Sequence, residues 1–213
     1  HSHLALLGWG YMLICGGFIF LFAQQVLDSG HYNLLFKFNV ASALGMTVFF
    51  LYQGYGAISI FFCTLHLVSV YLFAYYFFRD IGHHQSAGMP FVKWAAIWVV
   101  VSTIGLWAIA PVSATLGKLH PLYSMSIQFF LHFQFNGWFT YAALGLLYFH
   151  FSRPNNLLPI PKVGFWLLQL SLLLTYALSV TWSTPVSIIF YLNTAGVLVQ
   201  VVAFYLLLKP IVM

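Results

Sequence analysis

Seven runs of apolar residues fill almost the whole of this 213-residue chain, at 4–25, 33–52, 56–78, 91–112, 121–151, 163–182 and 186–208, and none holds more than one charged side chain. The hydrocarbon core of a bilayer is about 30 Å thick and is crossed by about 20 apolar residues in a helix. Each run reaches at least that length. Membrane-spanning strands would instead alternate apolar and polar residues over about 10 positions. Charged residues make up 4% of the chain, against about a quarter in water-soluble domains. So few charges cannot clothe a water-facing surface, and the backbone polar groups must be satisfied within helices embedded in lipid. The sequence predicts an all-α, polytopic transmembrane helical bundle, with residues 1–213 as a single transmembrane domain whose principal partner is the lipid bilayer.

The formal charge of +5 comes from basic residues scattered singly, which gives no patch for nucleic acid. They read as topology signals. Lys37, Arg79, Lys93, Arg153, Lys162 and Lys209 fall on one side of the predicted spans and Lys118 alone on the other. Because cytoplasmic loops hold the Lys and Arg excess, this places the C-terminus in the cytoplasm and the 117–121 loop outside. Cys15 and Cys63 lie inside apolar runs without CxxC spacing and read as small buried hydrophobes. The chain opens at His1-Ser-His3 directly against an apolar run, and a further helix upstream is expected.

An internal repeat emerges at an offset of 129 residues, which takes His3, Gly8 and Trp9 onto His132, Gly137 and Trp138, Gly16 onto Gly145, and Phe20 onto Phe149. The element His-x4-Gly-Trp therefore occurs twice, and residues of about 1–80 lie over about 130–209. The two copies run in the same direction across the bilayer, which defines a parallel repeat. With one helix added upstream, the chain divides into two quartets of helices.

Ionisable residues inside a membrane segment are costly and point to function. Here the intramembrane set is His1, His3, His66 and His132, with no buried Asp or Glu for an ion-coupled transporter. A neutral imidazole ligates haem iron or copper, and a cavity between facing helices accommodates a porphyrin. Gly8 and Gly137 would allow a flat ring or another helix to approach closely, and Trp9 and Trp138 would stack on that ring. Gln128 and Asn136, at i−4 and i+4 of His132, would orient its imidazole. The competing reading has each histidine as an interhelical hydrogen bond and each glycine as a packing notch. His83-His84 and His120 read as loop or interfacial groups.

Residues 1–20, His-Ser-His-Leu-Ala-Leu-Leu-Gly-Trp-Gly followed by Gly16-Gly17, resemble the haem-ligating helix of haem-copper oxidase catalytic subunits, especially C-type cytochrome oxidases and nitric oxide reductases. The resemblance implies His1 and His3 as paired haem or metal ligands and His132 as the match to the second of them, with Phe130 in place of the first. It also implies helix quartets, haem b with copper as a further possibility, and an oxidoreductase if the protein is an enzyme. The chain as a whole also resembles small bacterial membrane proteins, common in Bacteroidetes, that carry this His-rich helix and the segment Phe130–Trp138, and this likeness implies a bacterial inner membrane as the location. Departures are clear: the adjacent pair His83-His84 falls in a predicted loop, and intramembrane acids are missing.

Two functions follow as expectations. One is a haem- or metal-binding protein for electron transfer or for handling or sensing O2 or NO, served by a redox partner protein or a quinone. The other is a non-redox module, a transporter of a neutral or lipophilic solute or an assembly factor. The sequence leaves the oligomeric state open.

Overall fold

A computed structural model describes residues 4–26, 29–54, 56–82, 86–153, 157–181, 183 and 185–212. Among these the chain forms seven helices: α1 (Leu4–Phe22), α2 (Gly30–Gln53), α3 (Ala57–Asp80), α4 (Met89–Thr115), α5 (residues 121–151), α6 (Lys162–Thr181) and α7 (Ser187–Val212). All except α5 are single apolar stretches long enough to cross a membrane. Helix α5 is continuous as well but is built of three pieces, Pro121–His132, Phe133–Phe139 and Thr140–Phe151. Its middle piece is a π-helix, with the wider i→i+5 turn. A second π-helix, Leu4–Gly10, opens α1. The offset of 129 that superposes the His-x4-Gly-Trp elements carries one π-helix onto the other.

The chain divides into two compact units, residues 1–84 and 85–213. In the first, α2 and α3 form a hairpin across Gly54, whose φ of 57° requires the freedom of glycine. Helix α1 packs on α2 through its π segment, where a Cβ at Gly8 would lie 3.3 Å from Ala43 Cβ. The core is aromatic. Phe18 stacks on Phe77 at 5.7 Å, and Tyr11 meets Phe73 edge-on at 6.1 Å. Where α2 begins and α3 ends, Asp80 accepts from Arg79 Nε at 2.6 Å and pairs with His31 Nε2 at 3.0 Å, while Gln25 Nε2 donates to the Asp80 carbonyl at 2.9 Å. Arg79 also lies 4.8 Å above the Tyr76 ring. The cluster thus joins Arg79 and Asp80 of α3 to His31 of α2 at one end of the hairpin.

In the second unit, α4 lies along α5 on a seam of glycines. Gly88 sits against the backbone of Gly145, Gly105 against that of Ser126 and Phe130, and Gly137 beneath Trp98. The small residues let the backbones approach, which is how helices associate where lipid supplies no hydrophobic drive. Helices α6 and α7 form a second hairpin, closed at Gly164 and Gly196. Tyr148 on α5 ties this hairpin in by donating to the Leu207 carbonyl of α7 at 2.7 Å. At the head of α5, the His120 ring caps the helix by accepting from the Leu122 N–H at 3.2 Å.

The side chains turned away from these cores are apolar: Leu13, Leu51, Trp166, Leu198, Val201 and Tyr205 are all exposed. An apolar exterior on helices of this length is one that meets lipid. The chain is a multi-pass, all-α membrane protein.

Candidate functional site

The second unit holds a groove of about 460 Å³ between α5, α6 and α7. Its polar lining is Gln128, His132 and Asn136 from α5, Thr175 and Ser179 from α6, and Asn193 and Gln200 from α7, while Leu131, Phe135, Leu178 and Val197 supply the apolar part. Spacings of four residues on α5 and α6 and of seven on α7 set each group on one face of its helix. Gly196 lets the α6 and α7 faces approach closely, because a Cβ there would come within 2.8 Å of Leu174 and 3.0 Å of Thr175. The groove contains seven hydrogen-bonding side chains and no formal charge.

His132 is the most constrained of them. Its Nε2 lies 2.8 Å from the Leu172 carbonyl of α6, and a carbonyl can only accept, so Nε2 carries the proton. Nδ1 is then an acceptor, and the Asn136 amide nitrogen meets it at 3.3 Å. Both ring nitrogens are occupied, and the ring is held between Phe133 and Tyr176 at 5.2 and 5.6 Å. Asn136 belongs to the π-helix, a form that occurs mostly as short insertions in α-helices and frequently at functional sites. Thr140 satisfies that turn by donating from Oγ1 to the Phe135 carbonyl at 3.0 Å. Thr175 donates its hydroxyl to the Ser171 carbonyl at 2.8 Å, so only its oxygen lone pairs remain for the groove. Asn193 Oδ1 is shielded from solvent and has no partner among the described residues.

His66 is placed differently. It is 1% exposed, in the core of the first unit, with Nδ1 at 3.1 Å from Asn39 Oδ1. Asn39 donates its amide nitrogen to the Leu35 carbonyl at 3.1 Å, which turns its oxygen toward the histidine. His66 therefore carries its proton on Nδ1 and a lone pair on Nε2, the reverse of His132. The Tyr11 ring stands edge-on beside it at 5.0 Å.

The other sites anticipated from sequence fall elsewhere. His1, His3 and the pair His83-His84 lie outside the described residues. Gly8 and Gly137 do receive close neighbours, but these are Ala43 of α2 and Trp98 of α4, so the protein itself fills both notches. Trp9 is 70% exposed, turned toward the lipid side, and Trp138 is wholly buried in the second unit. Neither indole lines the groove with His132. Of the residues expected to orient His132, Asn136 does so, and Gln128 lines the same groove. Thr175, Ser179, Asn193 and Gln200 were not anticipated. Their signal was the i, i+4 and i, i+7 spacing of polar residues in otherwise apolar helices.

Among the described residues no three His, Cys, Asp or Glu side chains gather to hold a metal ion. No family model matches the chain, and no match is found among curated proteins or solved structures.

Proposed function

We propose that this multi-pass protein, resident in a bacterial inner membrane with its C-terminus in the cytoplasm, binds a small neutral molecule by hydrogen bonds in the groove between α5, α6 and α7, as a carrier or receptor. The observation that carries the reading is the convergence of seven uncharged polar side chains within helices that are otherwise apolar. Polar groups at membrane depth normally pair with one another or line a cavity. Here His132 is paired, while Asn193 Oδ1 is not. Binding sites of this kind are largely apolar with a few convergent polar groups, and about 300–1,000 Å³ in volume.

Thermal unfolding in detergent, run against a panel of uncharged amides, polyols and nucleosides, tests the reading. At least one class is expected to raise the unfolding midpoint of the native chain, with a ligand at a hundred times its Kd adding about 2.7 kcal/mol. Asn193→Leu with Gln200→Leu should lose that response while keeping the fold. A native chain indifferent to the whole panel overturns the reading.

A second reading, the haem- or metal-binding one, is favoured by a separate observation at His66. A ligating histidine usually donates its other ring N–H to a fixed acceptor, and Asn39 supplies that acceptor here. Haem b or copper bound through His66 Nε2 would serve an electron-transfer or O2/NO role with a quinone or protein redox partner, whereas the resemblance to haem-copper oxidase subunits implies His1, His3 and His132 as ligands. His132 fits less well, because Asn136 occupies its only lone pair. Protein purified after haem-replete expression should show a Soret band that His66→Ala removes and His132→Ala leaves in place. A colourless native preparation excludes this reading.

A further inference from the structure

Resting on the reading of the groove as a binding site, we infer that the groove is the inner half of a one-sided aqueous path, which delivers a small neutral solute carrying an N–H or O–H donor from the end of the second unit that bears the 117–121 loop. Three observations join in this. A second cavity of about 420 Å³ is lined by Leu119, Pro121, Ser124, Gln128 and Ser183. It lies at the turn between α4 and α5 and the turn between α6 and α7, where Leu119 and Ser124 are exposed. Gln128 lines both cavities. A polar route thus runs from the loop end past Gln128 to His132, Asn136 and Ser179.

Its depth follows from helix geometry. At 1.5 Å per residue, Asn193 and Gln200 lie about 9 and about 20 Å along α7 from Ser187. In a hydrocarbon core about 30 Å thick the polar lining therefore passes the midplane. Beyond Gln200 the path is shut. Ala203 and Leu207 are completely buried, Gly164 is pressed against Leu206 and Leu207, and Tyr148 is hydrogen-bonded to the Leu207 carbonyl. The loop end is open and polar and the far end is packed and apolar, while Phe135, Leu178 and Val197 are exposed along the side of the groove, so the path is stopped at the far end and bordered laterally by apolar side chains.

The solute's chemistry follows from the groups left unmatched. Asn193 Oδ1 needs a donor, Thr175 offers only lone pairs, and the amides of Gln128 and Gln200 can serve in either sense. With no charge in the lining, an ion would be left uncompensated in a low-dielectric site. An uncharged amide or alcohol meets these requirements. By the Lys and Arg count, the open end faces away from the cytoplasm.

Single cysteines at Ser124, Gln128, Ser179, Gln200, Leu173 and Leu207, in the full chain carrying Cys15→Ala and Cys63→Ala, test the path. A membrane-impermeant, charged methanethiosulfonate is applied to right-side-out and to inside-out vesicles, and labelling after denaturation gives the total of each cysteine. A thiol reacts as its thiolate, which forms in water and not in lipid. Ser124→Cys, Gln128→Cys and Ser179→Cys should react from the outside roughly tenfold or more faster than lipid-facing Leu173→Cys and packed Leu207→Cys. Gln200→Cys should react more slowly, and from that side only. Gln128→Cys and Ser179→Cys as inert as Leu173→Cys would overturn the path, as would equal labelling from both sides. Ligand stabilisation without labelling would keep the binding site and make the bilayer its source. Labelling without ligand stabilisation would keep the path and overturn the binding function.

Discussion

Gly105→Ala is expected to unfold the second unit, or to lower its stability by about 3 kcal/mol or more, at the upper end of what added methyl groups do in packed interiors. The methyl group would meet the Ser126 carbonyl and would lie 2.7 Å from Phe130 N and 3.2 Å from Phe130 Cβ. Those are mainly backbone atoms of α5. A side chain can rotate away from an intruder, but a helix backbone can yield only if α4 and α5 move apart. Ser102, one turn earlier, is buried on the same face, so separation would also break the bond from Ser102 Oγ to Gln134 Oε1 at 3.0 Å. Gly16→Ala is the matched control. Its methyl group meets nothing within 4 Å, and the gain in helix propensity, about 1 kcal/mol in a helix interior, should leave the chain at least as stable as before. Thermal unfolding in one detergent gives both values. Equal midpoints for the two variants would show that the seam is not a close contact. The seam matters for function because it fixes α5, the helix that carries Gln128, His132 and Asn136.

The fold was legible because it follows from one property, the length of the apolar runs. Seven runs became seven helices, and the added details are caps and breaks such as His120 at the head of α5 and Gly54 between α2 and α3. The repeat in sequence has a counterpart in backbone form, since Leu4–Gly10 and Phe133–Phe139 are both π-helices at the offset that matches His3 to His132. Nothing in either heptapeptide alone announces an i→i+5 turn. The site was legible on α5, where an imidazole and two amides stand four residues apart. It was not legible on α6 and α7, because a lone Thr, Ser, Asn or Gln in an apolar run is ordinary packing chemistry until another helix brings a second one beside it. Between α6 and α7 that approach is made at Gly196. The protonation of the two histidines was likewise hidden, because Asn39 and Leu172 are 27 and 40 residues away from the rings they fix. The glycine and tryptophan five and six residues beyond each histidine invited a flat ring in sequence. In three dimensions Ala43 and Trp98 take the glycine notches.

His132→Ala is expected to cost about 2 kcal/mol and to abolish ligand stabilisation, whereas His132→Gln should recover most of the stability. An interhelical hydrogen bond in a membrane protein contributes about 0.6 kcal/mol on average and at most about 1.7. The 2.8 Å bond to the Leu172 carbonyl, donated from a ring 8% exposed, belongs toward the upper end of that range. Truncation to alanine also removes the ring from between Phe133 and Tyr176, which adds the cost of a partly filled cavity. Glutamine carries an N–H donor at a similar reach and can restore the link to α6, while its amide can still meet Asn136. Asn136→Ala should cost less than His132→Ala, since its bond at 3.3 Å is long and Nδ1 could turn to the groove instead. A ligand role for His132 would show in the spectra instead. Glutamine would then rescue stability but no chromophore, and Asn136→Ala would strengthen metal or haem binding by freeing Nδ1. Unfolding midpoints and absorbance spectra of these three variants therefore separate a histidine that joins helices and shapes a groove from one that waits for a metal.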